Sequence, residues 1–279
     1  MSSATVTTTN AANPANPGNA AGLTTAGRVR HAFNSILPAI ILSIVVLVVW
    51  EAISRIFKLP QFVLPAPSSI GKILITRQAS LSQAAWVTAE EILYGFLLSA
   101  VVGMLIAVTI ARFERMGRAV YPLMVLFQNV PKIALAPLFI LWFGYDLAPK
   151  ILLIVVMAFF PVALNMLVGL QSADPNLVTL MRTVGASRTE ILMRVQIPNS
   201  LPYLMSGIKI AITLSVIGAI VGEFAGASAG LGYMIQFAST QMETSLVFAA
   251  LIQISLLGMF FYYAIEFIEW KYISWAPKL

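Results

Sequence analysis

Six stretches of about twenty apolar residues alternate with short polar segments along the chain, and this alternation predicts its secondary structure. The apolar stretches lie near residues 33–54, 88–111, 119–143, 150–171, 203–223 and 245–268. A helix needs roughly 20 apolar residues to cross the hydrocarbon core of a bilayer, so each stretch is long enough to span a membrane. We therefore predict an all-α integral membrane protein with six transmembrane helices.

Basic residues flank these stretches and give them a direction across the membrane. With the N-terminus inside, ten lie on the cytoplasmic side: Arg28, Arg30, Arg112, Arg115, Arg118, Arg182, Arg188, Arg194, Lys271 and Lys278. The outer side then holds five: Arg55, Lys58, Lys72, Arg77 and Lys150. Cytoplasmic loops carry the excess of Lys and Arg, so we predict that both termini are cytoplasmic. The net charge of +6 is interpreted as this topology signal and not as a nucleic-acid surface.

The composition agrees with a membrane protein and excludes several kinds of site. Hydrophobic residues make up 59% of the 279 residues and charged residues only 10%, against roughly 25% charged in a soluble domain. The absence of cysteine excludes disulfides, iron–sulfur ligation and thiol catalysis, and the single histidine, His31, cannot form a histidine metal cluster. Residues 1–27 carry no charge and are rich in Ala, Thr, Asn, Pro and Gly. We expect a disordered cytoplasmic tail at residues 1–30, followed by one transmembrane domain at residues 31–279.

Two of the predicted helices carry a small residue at every fourth position. The second has Gly95, Ser99, Gly103 and Ala107, and the fifth has Gly207, Ala211, Ser215 and Ala219. Small residues let helix backbones approach closely inside lipid, where packing drives helix association. The stripes therefore mark either packing within the bundle or a face that meets another subunit or lines a pore.

The third apolar stretch is irregular. Prolines 122, 131 and 137 interrupt it, and three polar residues lie within it: Gln128, Asn129 and Lys132. Proline frees backbone carbonyls, which protein or water must satisfy at membrane depth. A lysine there is costly, so Lys132 either reaches the nearer interface or a backbone carbonyl, or lines a pathway that favours anionic solutes. We take these three polar residues as candidate pathway residues.

The segment between the fifth and sixth stretches, residues 222–233 (GEFAGASAGLGY), is apolar and rich in glycine. It can approach the membrane only where protein or water covers its backbone, so it is either a packed gate element or a plain flexible loop. Its candidate gate residues are Glu223, Gly230 and Gly232. Two adjacent acids, Glu90 and Glu91, follow Thr88, and Thr88-x-x-Glu91 has the pattern of a capping box. We therefore expect a helix to start there, rather than a proton relay.

Residues 172–200, which we call the corner loop, are polar but have strong local structural signals. Asp174 followed by proline is typical of a helix start, and Gly185 of a left-handed helix end. Ser187-x-x-Glu190 is a capping box that starts a second helix, which Pro198 and Pro202 are expected to end. The loop is thus predicted to be a helix, a glycine corner and another helix. Its arginines either form a docking surface or touch lipid headgroups: Arg182, Arg188 and Arg194.

The corner loop resembles a signature of ABC-importer permeases of the binding-protein-dependent class. That signature is EAA, three residues, Gly, nine residues and Ile-x-Leu-Pro; here nine residues separate Gly185 from Val195-Gln196-Ile197-Pro198. The EAA positions read Thr179-Leu180-Met181, so the acidic anchor is missing. Residues 131–138 (PKIALAPL), 142–144 (WFG), 222–224 (GEF) and 229–233 (AGLGY) are similar to the nitrate/sulfonate/taurine branch of this family. The resemblance covers roughly residues 33–275.

The resemblance implies a type I importer permease with a MetI-like core in a bacterial cytoplasmic (inner) membrane. It implies a homodimer of such chains, ATPase subunits below the membrane and an extracytoplasmic solute-binding protein above it. It also implies that the corner loop is the coupling helix that docks in a groove of the ATPase. The corner itself would be Gly185, Ala186 and Ser187, with Arg182, Arg188, Glu190 and Pro198 around it. The chain has no phosphate-binding GxxxxGK[ST] loop, so ATP and Mg are assigned to the partner and no cofactor to this chain.

Two other classes of membrane protein compete with this interpretation. An ion-gradient-driven secondary transporter should show acids at the membrane midplane and inverted repeats with broken helices, whereas the acids here cluster at the ends of the stretches. A membrane-embedded enzyme would need a catalytic constellation at membrane depth, and the chain offers few residues to build one. Branch members transport nitrate, taurine, sulfonates, pyrimidine or thiamine precursors, or aromatic acids, and Lys132 favours a small anion among these.

Overall fold

A computed structural model describes the backbone of residues 25–273 and the side chains in that range except 25–36, 114–118, 120, 121 and 125. All regular secondary structure in the described range is helical. The α-helices are α1 (Thr25–Ile56), α2 (Pro67–Thr76), α3 (Gln78–Arg112), α4 (Glu114–Asn129), α5 (Ala136–Phe143), α6 (Leu147–Gln171), α7 (Pro175–Thr183), α8 (Arg188–Ile191), α9 (Ile197–Gly226), α10 (Leu231–Thr240) and α11 (Thr244–Tyr272). A 3-10 turn, Lys132–Leu135, precedes α5, and a π-helical turn, Leu192–Gln196, joins α8 to α9.

The first compact unit, Met1–Leu59, contains α1. Its segment Leu37–Ile56 has a mean hydropathy of 2.3, and only 6% of its most apolar window is buried. Residues 1–24 of the predicted tail lie outside the described residues. Residues 25–30, which were also assigned to the tail, are instead the first residues of α1.

The second compact unit, Pro60–Leu279, is built around α6, which packs between α3 and α9. The two small-residue stripes face this helix. A Cβ added at Gly95 would lie 2.5 Å from Ile154, and one added at Gly207 would lie 2.7 Å from the carbonyl oxygen of Pro161. Any side chain at these positions would force the helices apart, so the stripes serve packing within the chain.

The third apolar stretch is not one helix. Pro122–Asn129 and Lys132–Phe143 meet at a bend of 80°. Proline cannot donate a backbone hydrogen bond and disfavours the α conformation of the residue before it, so the helix ends before Pro131. Five helices of the described chain are long and apolar enough to cross a membrane, and a sixth span is obtained if the bent pair is counted as one. The predicted all-α, six-span architecture is confirmed in this form.

Two helices had no counterpart in the sequence prediction. In the sequence, α2 follows α1 and precedes α3, and α10 takes up part of the segment that was predicted to be a loop at residues 222–233. Only residues 227–230 of that segment are not helical, because α9 continues to Gly226 and α10 begins at Leu231. Both helices have ten residues, too short for the span-length pattern that the prediction used.

Candidate functional sites at a glycine corner and a buried polar cluster

The corner loop begins with α7, and its start and end follow the predicted signals. The Asp174 side chain accepts a hydrogen bond of 2.8 Å from the Asn176 backbone N–H, and Pro175 occupies the first helical position. At the other end Gly185 has φ +84°, the left-handed conformation that the prediction required. Its N–H donates to the carbonyl of Arg182 (3.0 Å), and the N–H of Ala186 donates to that of Met181 (2.9 Å). The chain therefore reverses at a hydrogen-bonded corner.

A capping box holds the far side of the corner. The Ser187 N–H donates to the Glu190 carboxylate (2.8 Å), and the Glu190 N–H donates to Ser187 Oγ (3.2 Å). The hydrogen bond from the Ser187 backbone lowers the pKa of Glu190 below its ordinary value, with a further contribution from the Ser187 hydroxyl. Glu190 is therefore ionised at neutral pH, and the predicted box is confirmed.

The second helix of the corner loop does not end at Pro198 or Pro202, contrary to the prediction. The Ile197 N–H donates to the carbonyl of Leu192, five residues back, which is the hydrogen bond of a π-helical turn. This turn shifts the hydrogen-bond register just before Pro198, which has no N–H and sits in the first turn of α9. The result is one helical rod, Arg188–Gly226, of 39 residues.

Three arginine side chains lie close together near the glycine corner. A cavity of ≈ 70 Å³ is lined by the side chains of Arg112, Arg182 and Arg188 together with apolar residues of α3, α7 and α8. Thr179, which stands at the acidic position of the family signature, donates its hydroxyl to the Pro175 carbonyl within its own helix (2.8 Å). Since Thr179 adds no negative charge, these three arginines outnumber the one carboxylate of the corner, Glu190, and the net charge there is positive.

Four polar residues meet at the ends of α6 and α9 that lie away from the corner loop. We call them the polar cluster: Thr88, Glu91, Lys150 and Glu223. Lys150 Nζ lies 2.5 Å from Glu91 Oε1, and Thr88 Oγ1 lies 2.6 Å from Glu223 Oε1. Both glutamates are buried, with 1% and 0% of their surface exposed. Ionisable groups with so little water around them are costly unless they are paired, so this cluster requires an explanation.

The segment after α9 closes over Glu223. Gly232 N–H donates to Glu223 Oε2, and Leu231 N–H donates to Thr88 Oγ1 at 2.8 Å. A Cβ at Gly230 would lie 2.1 Å from Glu223 Oε1, and one at Gly232 would lie 2.7 Å from Oε2. Gly230 also has φ +112°, so both its conformation and the close carboxylate require glycine. The candidate gate residues predicted from the sequence therefore form one contact, and the segment is packed rather than free.

The prediction that Thr88 and Glu91 form a capping box is wrong. α3 starts at Gln78, so both residues lie inside the helix and face its buried side. A four-residue pattern cannot distinguish a helix start from the buried face of a longer helix when a partly polar segment precedes the apolar stretch, as residues 78–83 (QASLSQ) do here. The signal that the prediction overlooked is the spacing of Thr88 and Glu91. Residues three apart on a helix lie on the same face, so both side chains point to the same side of α3.

The three polar residues of the third stretch lie at the bend between α4 and α5. Gln128 and Asn129 are exposed at the end of α4, and Lys132 is half-buried at the start of the 3-10 turn. Among the described residues no carboxylate lies within ion-pair distance of Lys132. α5 packs on α6 and α9 next to the polar cluster. A Cβ added at Gly226, the last residue of α9, would lie 2.8 Å from the side chain of Ile140 in α5.

Comparison with known proteins places this arrangement in a family. The family model described as binding-protein-dependent transport system inner membrane component matches residues 99–273. The formylaminopyrimidine transport permease protein ThiX of Halalkalibacterium halodurans is 36% identical over 254 residues, which cover 89% of this chain and 99% of that protein. The aliphatic sulfonates transport permease protein SsuC of Bacillus subtilis is 32% identical over 255 residues, 89% of this chain and 90% of its own.

A solved structure agrees with the fold. The MetNI methionine ABC transporter, in an inward-facing conformation, contains a chain that superposes with a TM-score of 0.51. The alignment covers 68% of this chain and 98% of that one, at 23% identity. The fold is therefore that of a type I importer permease with a MetI-like core.

Proposed function

Since the chain belongs to the family of binding-protein-dependent transport system inner membrane components, the permease subunits of ABC importers, we propose that it forms the pathway for a small solute and moves it by alternating access. Taurine and sulfonate permeases are among its relatives. The chain is a multi-pass membrane subunit of a transporter, and it depends on an ATPase and a solute-binding protein as partners.

One observation carries the proposal: a single helical rod connects the glycine corner to the polar cluster. Arg188–Gly226 includes the capping box at its start and Glu223 near its end. At 1.5 Å per residue these points are roughly 50 Å apart, more than the thickness of a bilayer core. A helix packed along α6 transmits a displacement with little loss, so a push at the corner reaches the segment that covers Glu223.

This arrangement and the family support the following proposal for the sidedness and the partners of the chain. The corner loop faces the cytoplasm, with both termini on the same side, and its Gly185-Ala186-Ser187 corner docks into a groove of an ATPase subunit. ATP and Mg are bound there and not by this chain. The polar cluster then lies near the outer surface, where the solute-binding protein delivers the solute to the axis of a homodimer. ATP binding draws the corners together and opens the outer side, and hydrolysis resets the bundle.

The proposed solute is a small organic or inorganic anion, such as a sulfonate, taurine or nitrate. The half-buried Lys132 and the sulfonate relative favour an anion. A pyrimidine or thiamine precursor is the alternative solute, because the relative of 36% identity is a formylaminopyrimidine permease. Uptake competition between taurine, an alkanesulfonate, nitrate and formylaminopyrimidine distinguishes the two.

Reconstitution tests the proposal directly. The chain is purified with its ATPase, placed in proteoliposomes with ATP on the side of the corner loop, and supplied with loaded solute-binding protein. ATP-dependent solute accumulation that survives collapse of the proton and sodium gradients by ionophores is the expected result. Accumulation by the chain alone, driven by an imposed ion gradient and abolished by the ionophores, would show a secondary transporter instead.

A further inference from the structure

The polar cluster holds more negative charge than its surroundings can balance. The ionisable groups that interact with Glu223 among the described residues are Glu91 from α3 and Lys150 from α6. Two ionised carboxylates and one ammonium would leave a net charge of −1 in a region where both acids are almost fully buried. A cavity of ≈ 10 Å³ beside Lys150, between α5, α6 and α9, is about the minimum volume for one water. The two carboxylates therefore have almost no contact with bulk solvent that could offset this charge.

Among the described residues, one carboxylate oxygen of the polar cluster lacks a hydrogen-bond donor. Four carboxylate oxygens receive three donors: Lys150 Nζ on Glu91 Oε1, the Thr88 hydroxyl on Glu223 Oε1 and the Gly232 N–H on Glu223 Oε2. The fourth oxygen, Glu91 Oε2, is buried and receives no hydrogen bond from any residue that the structure describes. Thr88, which is hydrogen-bonded to Glu223, lies one helical turn from Glu91 on the buried face of α3, so the two carboxyl groups lie side by side. Two ionised carboxylates at that separation repel, whereas a carboxylic acid beside a carboxylate supplies the missing donor.

We infer that the closed polar cluster binds one proton, which Glu223 carries and donates to Glu91. The chain of contacts is then Lys150 ammonium, Glu91 carboxylate, Glu223 carboxylic acid and Thr88 hydroxyl, with a net charge of zero. Thr88 still donates to Glu223 and accepts from Leu231 N–H, so every polar atom of the cluster has a partner. The N-terminus of α10 would favour an ionised Glu223 through its dipole, but an ionised Glu223 leaves Glu91 Oε2 without a donor.

The bound proton is tied to the segment that covers it. Gly232 and Leu231 belong to the start of α10, so a movement of this segment away from α9 removes two of the contacts at once. Water then reaches the carboxyl, which ionises and releases its proton, Glu223–COOH giving Glu223–COO⁻ and H⁺. A higher pH on that side therefore favours the open segment. This link to gating rests on the proposed function, whereas the presence of the proton does not.

Infrared spectroscopy of the purified full-length chain in lipid bilayers tests the proton without any transport. At neutral pH the wild type should show the C=O stretching band of a protonated carboxyl, shifted in D₂O. Glu223→Gln should lose the band, since its amide replaces the acid as the donor to Glu91. Glu91→Gln should lose it as well, because Lys150 then needs the negative charge of Glu223. Glu243→Gln, at an exposed acid paired with Arg77, is the matched control and should keep the band.

A wild-type spectrum without the band at neutral pH overturns the inference, and so does a band that survives in Glu223→Gln or in Glu91→Gln. Thermal unfolding gives a second readout. The melting temperature of the wild type should fall as the pH is raised, because deprotonation puts a second negative charge into the buried cluster. Glu223→Gln should lose that dependence, and a dependence equal to the wild type's contradicts the assignment. Neither measurement involves an ATPase, so a negative result leaves the permease function standing.

Discussion

Replacing Gly185 by valine should weaken the binding of the ATPase subunit by roughly ten- to a hundredfold while leaving the helical bundle intact. Gly185 has φ +84°, and a Cβ built on it meets no atom of the described residues within 4 Å. The penalty is therefore conformational and not steric. A left-handed residue other than glycine costs about 1–2 kcal/mol, and a β-branched residue is at the upper end of that range or beyond it.

The backbone can avoid this penalty only by leaving the left-handed region. It would then lose the hydrogen bonds from Gly185 to Arg182 and from Ala186 to Met181, each with a net contribution of about 1 kcal/mol. Either way the docking conformation becomes less favourable by about 1.4–2.8 kcal/mol, which is a factor of ten to a hundred in affinity. The bundle should be unaffected, because an added Cβ at this position contacts none of the residues that the structure describes.

Three variants at this position make the test specific. Gly185→Ala should lose about tenfold in affinity, Gly185→Val more, and Gly185→Asn less than threefold, because asparagine tolerates the left-handed conformation. The assay is equilibrium binding of the detergent-purified chain to its ATPase, with the melting temperature measured in parallel. If valine binds as tightly as glycine, or if asparagine loses as much as valine, the corner is not what the ATPase recognises.

Three further predictions concern other parts of the chain. Gly230→Ala should lower the free energy of unfolding by at least about 1–3 kcal/mol from its backbone conformation alone, and its Cβ would also lie 2.1 Å from a buried carboxylate oxygen. Gly71→Ala is the control: its Cβ meets no described atom within 4 Å, so it should raise the free energy of unfolding by about 0.5–1 kcal/mol. Equal melting temperatures for the two variants would contradict both expectations. Lys150→Met should destabilise the fold by about 3–5 kcal/mol because it leaves the buried Glu91 carboxylate without its ion-pair partner. Adding Glu91→Gln should restore most of the lost stability, and a double variant as unstable as the single one argues against the Lys150–Glu91 ion pair. Lys132→Gln should raise KM for an anionic solute roughly fivefold, from about 1 kcal/mol of lost attraction in a water-filled pathway, and unchanged transport would remove Lys132 from the pathway.

The corner loop shows how much local sequence can determine. The Asp174 cap, the left-handed Gly185 and the Ser187–Glu190 box all formed as predicted, because each depends on atoms within five residues of one another. The prediction failed where the chain continued beyond the local pattern. A π-helical turn absorbed Pro198, and the helix ran on for the length of a membrane span.

The bent third stretch lies between these cases. Its prolines indicated an interruption, and the bend is located there. How far the two halves turn depends on what they pack against, and a pattern of residue types carries no such information. The contact of α5 with α6 and α9 therefore came only from the tertiary structure.

The sequence by itself determined the fold class, the positions of the apolar stretches and the presence of the two small-residue stripes, because hydrophobic length and helical periodicity act at short range. Only the tertiary structure revealed the polar cluster. Thr88 and Glu223 are 135 residues apart and Glu91 and Lys150 are 59 apart. Each of these residues has an ordinary local explanation, as a helix cap, a loop acid or a topology signal. Burial beside one another is what turns them into a charge-balanced site, and burial is decided by how α3, α6 and α9 pack.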